Sequence, residues 1–133
     1  PGYRRLFVDY LRDYAKEGNK TIFLTSHIIQ DMERLIDDCI ILDYGGIRIH
    51  SSIQHIMNTF RQCTFNLLND ADLSRCKNIL HPHNKNGFVE CGVMCNEDTL
   101  RKELDIANIN YENLTLSCAT TLEDAFIGLT GKY

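Results

Sequence analysis

The residues best placed for chemistry in this chain are Ser26 and His27, where a short apolar run, Thr21-Ile22-Phe23-Leu24-Thr25, gives way to a helix-type pattern. In an open α/β sheet, ligands bind outside the carboxyl ends of the strands. A neutral imidazole at such a place donates one N–H to a phosphate oxygen and titrates near neutral pH. The N-terminus of a following helix adds backbone donors and a positive partial charge. The combination suits a sensor of a terminal phosphate. The residues by themselves favour the plainer reading, a histidine that caps the helix or packs under a loop. Ser26 beside His27 makes no nucleophile–base pair, because no orienting acid adjoins it and the Gly-x-Ser-x-Gly elbow is absent.

Cysteine chemistry is the other possibility. The six cysteines are Cys39, Cys63, Cys76, Cys91, Cys95 and Cys118. None forms a C-x-x-C pair, and most fall at apolar positions of expected strands and helices. Reduced core thiols are therefore expected, not a disulfide scaffold. His81-Pro82-His83 lies near several of them in sequence, but the spacing matches no closed tetrahedral zinc pattern. No metal site is expected, and residues 81–87 read as a polar surface loop. Asn19-Lys20-Thr21 and Asn113-Leu114-Thr115 match a glycosylation acceptor, which carries no meaning in a cytosolic chain.

Bulk properties narrow the classes further. The 133 residues suffice for one domain or two small lobes, and 44% hydrophobic residues support a packed core. The net charge of −4 and a pI near 5.7 argue against a nucleic-acid footprint, which needs a basic face. No apolar stretch approaches the ~20 residues that span a bilayer. Pro1-Gly2-Tyr3-Arg4-Arg5 leads straight into a charged helix, so no secretory leader is expected, and the missing initiator Met suggests a trimmed chain.

The elements that must position His27 follow from periodicity. Leu6, Phe7, Tyr10, Leu11, Tyr14 and Ala15 mark the apolar face of a first helix, opened by Pro1 and stopped by Gly18. Thr21–Thr25 reads as a strand buried on both faces, typical of a parallel sheet. Ile28, Ile29, Met32, Leu35 and Ile36 predict a second helix. Cys39 to Leu42 reads as a buried strand, Tyr44-Gly45-Gly46 as a turn, and Ile47 to His50 as an edge strand. Ser51 and Gln54 suggest a capping box for a short helix. The order is the back half of an α/β layer fold.

From Arg61 the pattern reads β-α-β-α-β-α. Strands are expected at Cys63–Leu68, at Phe88–Cys95 and around Leu114, Leu116 and Cys118. A helix capped by Asp70 carries Leu73, Cys76 and Leu80. Asn96 caps another, with Glu97 and Asp98 in its first turn. Thr120 and Glu123 suggest a capping box for the last helix, with Gly131 as its C-cap. A small α/β sandwich with helices on one face is the natural packing.

The run Lys20-Thr21-Ile22-Phe23-Leu24-Thr25-Ser26-His27-Ile28-Ile29-Gln30-Asp31-Met32-Glu33-Arg34-Leu35 resembles the switch-histidine region of ABC transporter ATP-binding subunits. Asp37 to Ile49 fits the family's next strand, Gly-containing turn and short strand without gaps. Pro1 to Arg5 is similar to the stretch just after the D-loop. Thr121-Leu122-Glu123-Asp124-Ala125-Phe126-Ile127-Gly128-Leu129-Thr130-Gly131 resembles the close of subunits of the bacterial drug- and peptide-export type. Residues 61–119 match only in element order. The resemblance implies that residues 1–60 are the C-terminal remnant of a P-loop ATPase lobe, followed by an α/β accessory domain at 61–133. His27 is then the switch histidine, contacting the γ-phosphate and helping to orient the attacking water. ATP and Mg belong to the parent protein. The implied partners are transmembrane permease subunits and a homo- or heterodimer of ATP-binding subunits, at the cytoplasmic face of the membrane.

Departures from the family pattern limit what this chain does alone. There is no G-x-x-x-x-G-K-S/T loop, no LSGGQ-like segment, and no apolar strand ending in paired acids. No cofactor binding and no hydrolysis are therefore expected of the 133 residues by themselves. The alternative reading makes residues 61–133 a regulatory or dimerisation module with no activity of its own. An exposed sheet edge around Thr21–Thr25 would favour pairing with another chain. A phosphoacceptor receiver fails for want of an acidic pocket at a strand end.

Overall fold

The charged amphipathic stretch at the start of the chain folds as α1 (Gly2–Lys16) in a computed structural model that describes residues 2–26, 28–30 and 32–131. Its buried stripe is rotated from the one expected. Val8 is buried and Leu11 and Ala15 are half-buried, whereas Leu6, Phe7 and Tyr10 stay exposed. Tyr10 stacks on Tyr14, with ring centroids 6.1 Å apart, and Lys20 Nζ lies 3.7 Å above the Tyr14 ring. These contacts cover the outer face with aromatic surface where a core would otherwise have buried it.

Residues 20–26 run without a ladder partner, so the expected strand Thr21–Thr25 is not formed, and Phe23 is 84% exposed. An apolar sequence favours a strand only where another strand takes its backbone groups. The expected second helix is also replaced by turns. Met32 N and Glu33 N both donate to Ile29 O, and Leu35 N and Ile36 N both donate to Met32 O. Mixed i→i+3 and i→i+4 bonds of this kind make successive turns and no continuous helix.

The chain then forms a hairpin of β1 (Asp38–Asp43) and β2 (Gly46–Ser52). Tyr44 and Gly45, at φ 48° and 73°, form its two-residue turn, and positive φ at both positions matches strand twist. The pairing is antiparallel, and no parallel pairing occurs among the described residues. A short helix, α2 (Ile53–Thr59), follows. Its cap is Ser52, which accepts from His55 N at 3.1 Å, one residue later than the expected Ser51.

The second sheet comprises β3 (Arg61–Leu67), β4 (Ile79–Lys85), β5 (Phe88–Val93) and β6 (Tyr111–Cys118), in the order β4-β5-β3-β6 with every pair antiparallel. Helix α3 (Glu97–Ile106) links β5 to β6, capped by Asn96 Oδ1 accepting from Thr99 N at 2.8 Å. This is the split βαβ arrangement of ferredoxin-like units, with its first helix shortened. Two expectations are corrected here. The helix placed over Leu73 to Leu80 is a single 3₁₀ turn, Leu73–Arg75, capped by Asp72. The polar loop 81–87 is mostly strand: Asn86 and Gly87, both at positive φ, turn β4 into β5. Pro82 is tolerated because β4 is an edge strand with a register break between Leu80 and His83.

One face of this sheet packs Cys63, Phe65, Val89 and Val93 against Leu100 and Leu104 of α3. The other face meets α4 (Leu122–Thr130), so the helices do not share one side as expected. Helix α4 belongs to a second apolar cluster that includes Ile41, Ile53, Ile56, Phe60, Leu122, Ala125 and Leu129, with Leu80 of β4 and Met94, just after β5, packed against it. The last helix of the chain therefore completes the core begun by β1 and α2. The fold is mixed α/β, with four α-helices and two antiparallel sheets among the described residues.

Candidate functional site

His27, the single site residue expected from sequence, lies outside the described residues. Its chain neighbours are described. The Ser26 hydroxyl accepts from Ile28 N at 2.9 Å and sits 3.2 Å from Ile28 O. Ser26, Ile28 and Met32 line a cavity of about 100 Å³ together with Arg4, Phe7 and Val8 of α1.

What holds the following segment comes from the far end of the chain. Gln30 Nε2 donates to Glu123 Oε2 at 2.7 Å across 93 residues. Leu122 N, at the first turn of α4, donates to Glu33 Oε2 at 3.2 Å across 89 residues. Ile29 and Ile36 pack against the cluster that buries Leu122 and Ala125. A carboxylate at a helix N-terminus meets both an unsatisfied N–H and the positive end of the dipole. The same helix end is closed from within. Thr121 Oγ1 accepts from Asp124 N, and the Asp124 carboxylate accepts from Thr121 N and the Thr120 hydroxyl. These bonds hold the Asp124 carboxyl below the usual range, with the Thr120 and Thr121 hydrogen bonds as the largest cause. Asp124 plays the capping role expected of Glu123, which leaves Glu123 for Gln30.

Comparison with protein-family models and with curated proteins finds no match to this sequence.

Asp43 is a buried carboxylate at the end of β1, 3.5 Å from Arg48 Nε. Two further places combine reactive groups. Cys63 and Cys91 are register partners on β3 and β5, both facing the core under α3. The hydrogen bond with Cys63 and burial push the Cys91 thiol well up, which keeps it protonated at neutral pH. Burial also raises Cys39, Cys76 and Cys95, and all six cysteines are free thiols. Among the described residues, no three His, Cys, Asp or Glu side chains gather in a geometry that could hold a metal ion.

The second place is an open cleft of about 530 Å³ between the 3₁₀ turn and α3, lined by Arg75, Lys77, Asn78, Thr99, Lys102 and Glu103. Glu103 in its lining is already committed: it accepts from Lys77 N, Asn78 N and Asn78 Nδ2, pinning the turn before β4 to α3. His81, expected in a surface loop, places Nε2 3.0 Å from Leu129 O and so serves the C-terminal end of α4.

The contacts between the 28–36 segment and α4 were missed by sequence reasoning, because no local pattern links positions 30 and 33 to positions 122 and 123. The hairpin at 86–87 did have a signal. The dipeptide Asn86-Gly87 suits the two positive-φ positions of a two-residue turn.

Proposed function

We propose that residues 1–60 are the closing part of the nucleotide-binding lobe of an ABC transporter ATP-binding subunit, extended by a C-terminal accessory unit. The observation that carries the reading is the run Lys20–Leu35, with Ser26-His27 between an apolar pentapeptide and an acidic-apolar stretch. The gap-free order from Asp37 to Ile49 and the ending Thr121 to Gly131 support it. In this reading His27 donates to a γ-phosphate oxygen and helps orient the attacking water, a positioning and charge-stabilising role. The parent protein binds ATP with Mg, pairs with a second ATP-binding subunit, and powers permease subunits for export from the cytoplasmic side. No helix among the described residues is long and apolar enough to cross a membrane. The 133 residues alone supply none of the phosphate-loop or magnesium-binding groups, so the proposed activity belongs to the parent.

The test is ATP turnover by the full-length natural chain, its His27→Ala variant and the 133-residue chain. The expected result is turnover by the first, loss of most of it in the second and none in the third. Full activity in His27→Ala would return the histidine to a structural role.

A second reading, a regulatory or dimerisation module, draws on one observation: β3 to β6 and α3 enclose an apolar cluster of their own. Light scattering over a wide concentration range tests it, and a chain that stays monomeric removes the dimerisation form.

A further inference from the structure

The segment that follows position 27 and the last helix of the chain are tied together by independent contacts. Two are polar: Gln30 to Glu123 at 2.7 Å, and Leu122 N to Glu33 at 3.2 Å. Two are apolar: Ile29 and Ile36 lie on the cluster that holds Leu122 and Ala125. Among the described residues of this stretch the backbone makes turn bonds, and none lies in a strand ladder. A stretch with few bonds of its own takes its conformation from what it rests on. Here that support is α4.

Helix α4 is itself anchored in the accessory unit. Its C-terminal end accepts from His81 of β4 at Leu129 O, and Gly128 lies against Phe60 and faces Gly92 of β5. Helix α4 thus connects the β4–β5 side of the sheet to Glu123 and Leu122. The capping box of Thr121 and Asp124 keeps that end of the helix formed, which fixes the Leu122 N–H where Glu33 meets it.

We infer that α4 is a positioning clamp on the 28–36 segment, through which the 61–131 unit controls turnover at the nucleotide site; this rests on the ATPase reading above. Glu33, Gln30 and Glu123 are positioning residues, acting through the segment and not on the nucleotide. Alignment of reacting groups is sensitive to shifts of about 1 Å, so loosening the clamp lowers turnover more than it lowers nucleotide affinity.

The experiment has two arms. In the 133-residue chain, hydrogen–deuterium exchange of Glu33→Ala and of Gln30→Ala/Glu123→Ala is compared with the natural sequence. Amides of residues 28–36 are expected to exchange at least about tenfold faster while those of β3, β5 and β6 keep their protection. In the full-length natural chain, the same variants are expected to lower kcat for ATP about three- to tenfold, with KM changed less than about twofold. Glu33→Gln, which keeps an acceptor for Leu122 N, is expected to recover part of kcat.

Unchanged exchange in residues 28–36 overturns the clamp itself. Faster exchange with unchanged kcat overturns its control of turnover, and a raised kcat overturns its positioning role; both leave the ATPase reading intact. A full-length natural chain that does not hydrolyse ATP overturns that reading and the control of turnover with it, and the first arm then decides whether the clamp exists as a structural contact.

Discussion

The ring of Phe60 fills the space that a side chain at Gly128 would need. A methyl group built on Gly128 would stand 2.8 Å from Phe60 Cε2, and one on Gly92 would stand 2.8 Å from the same carbon and 2.9 Å from Gly128 O. Phe60 is fully buried, so the ring has nowhere to retreat. A glycine inside a helix costs about 1 kcal/mol relative to alanine. Its presence at position 128 is explained by this close approach of α4 to the sheet around Phe60.

Gly128→Ala is accordingly expected to destabilise the chain in spite of its better helix propensity. Overpacking a tight core costs about 1–3 kcal/mol, and the propensity gain offsets about 1 of it. A net loss of up to about 2 kcal/mol in urea unfolding is the expected outcome. Combining the change with Phe60→Leu should make the alanine less harmful than it is alone, because the two sites share one volume. Equal harm in both backgrounds would show that the ring is not the obstacle.

Acid should weaken the end of α4. Hydrogen bonds from Thr120 and Thr121 hold the folded Asp124 carboxyl below its unfolded value of about 4. A depressed folded value means that this contribution is present above pH 4 and is lost as pH falls through the folded value. Asp124→Asn should therefore be less stable than the natural chain at pH 7, with the gap narrowing towards pH 3. Thermal melts at the two pH values check it; a gap that widens on acidification would reverse the assignment.

The cysteines should differ sharply in reactivity. Cys118 is exposed, whereas Cys63 and Cys76 are buried. Burial raises the Cys76 thiol, with further upward pushes from Glu103 and Asp72. Native-state labelling with a thiol-specific disulfide reagent is expected to modify Cys118 first. Cys63 and Cys76 should react more than about 100-fold more slowly, at a rate set by opening of the core. All six should react once the chain is unfolded in urea. Comparable native rates at Cys63 and Cys118 would mean that the core under α3 is open.

What the sequence determined by itself is the local structure. The i, i+4 spacing around Leu11 and Ala15 is enough to make α1, and Asn96 with Glu97 and Asp98 is enough to start α3. Gly131 sits in the left-handed conformation at φ 69° and closes α4 as a C-cap glycine should. These features depend on neighbours within one turn, so they are legible without the rest of the chain. Only the tertiary structure decided which partner each element meets. Thr121–Asp124 and Thr120–Glu123 both have capping-box spacing; in the folded chain Thr121 and Asp124 form the box, while Glu123 meets Gln30. Val8 is buried and Leu6 is not, because a helix with apolar residues on several sides turns whichever stripe its neighbour covers. The apolar run Thr21–Thr25 forms no strand, since a strand is a property of a pair and no described segment forms a ladder with it. The contacts of Glu33 with α4 join positions 89 residues apart, where sequence spacing carries no information and only the packed core sets the distance.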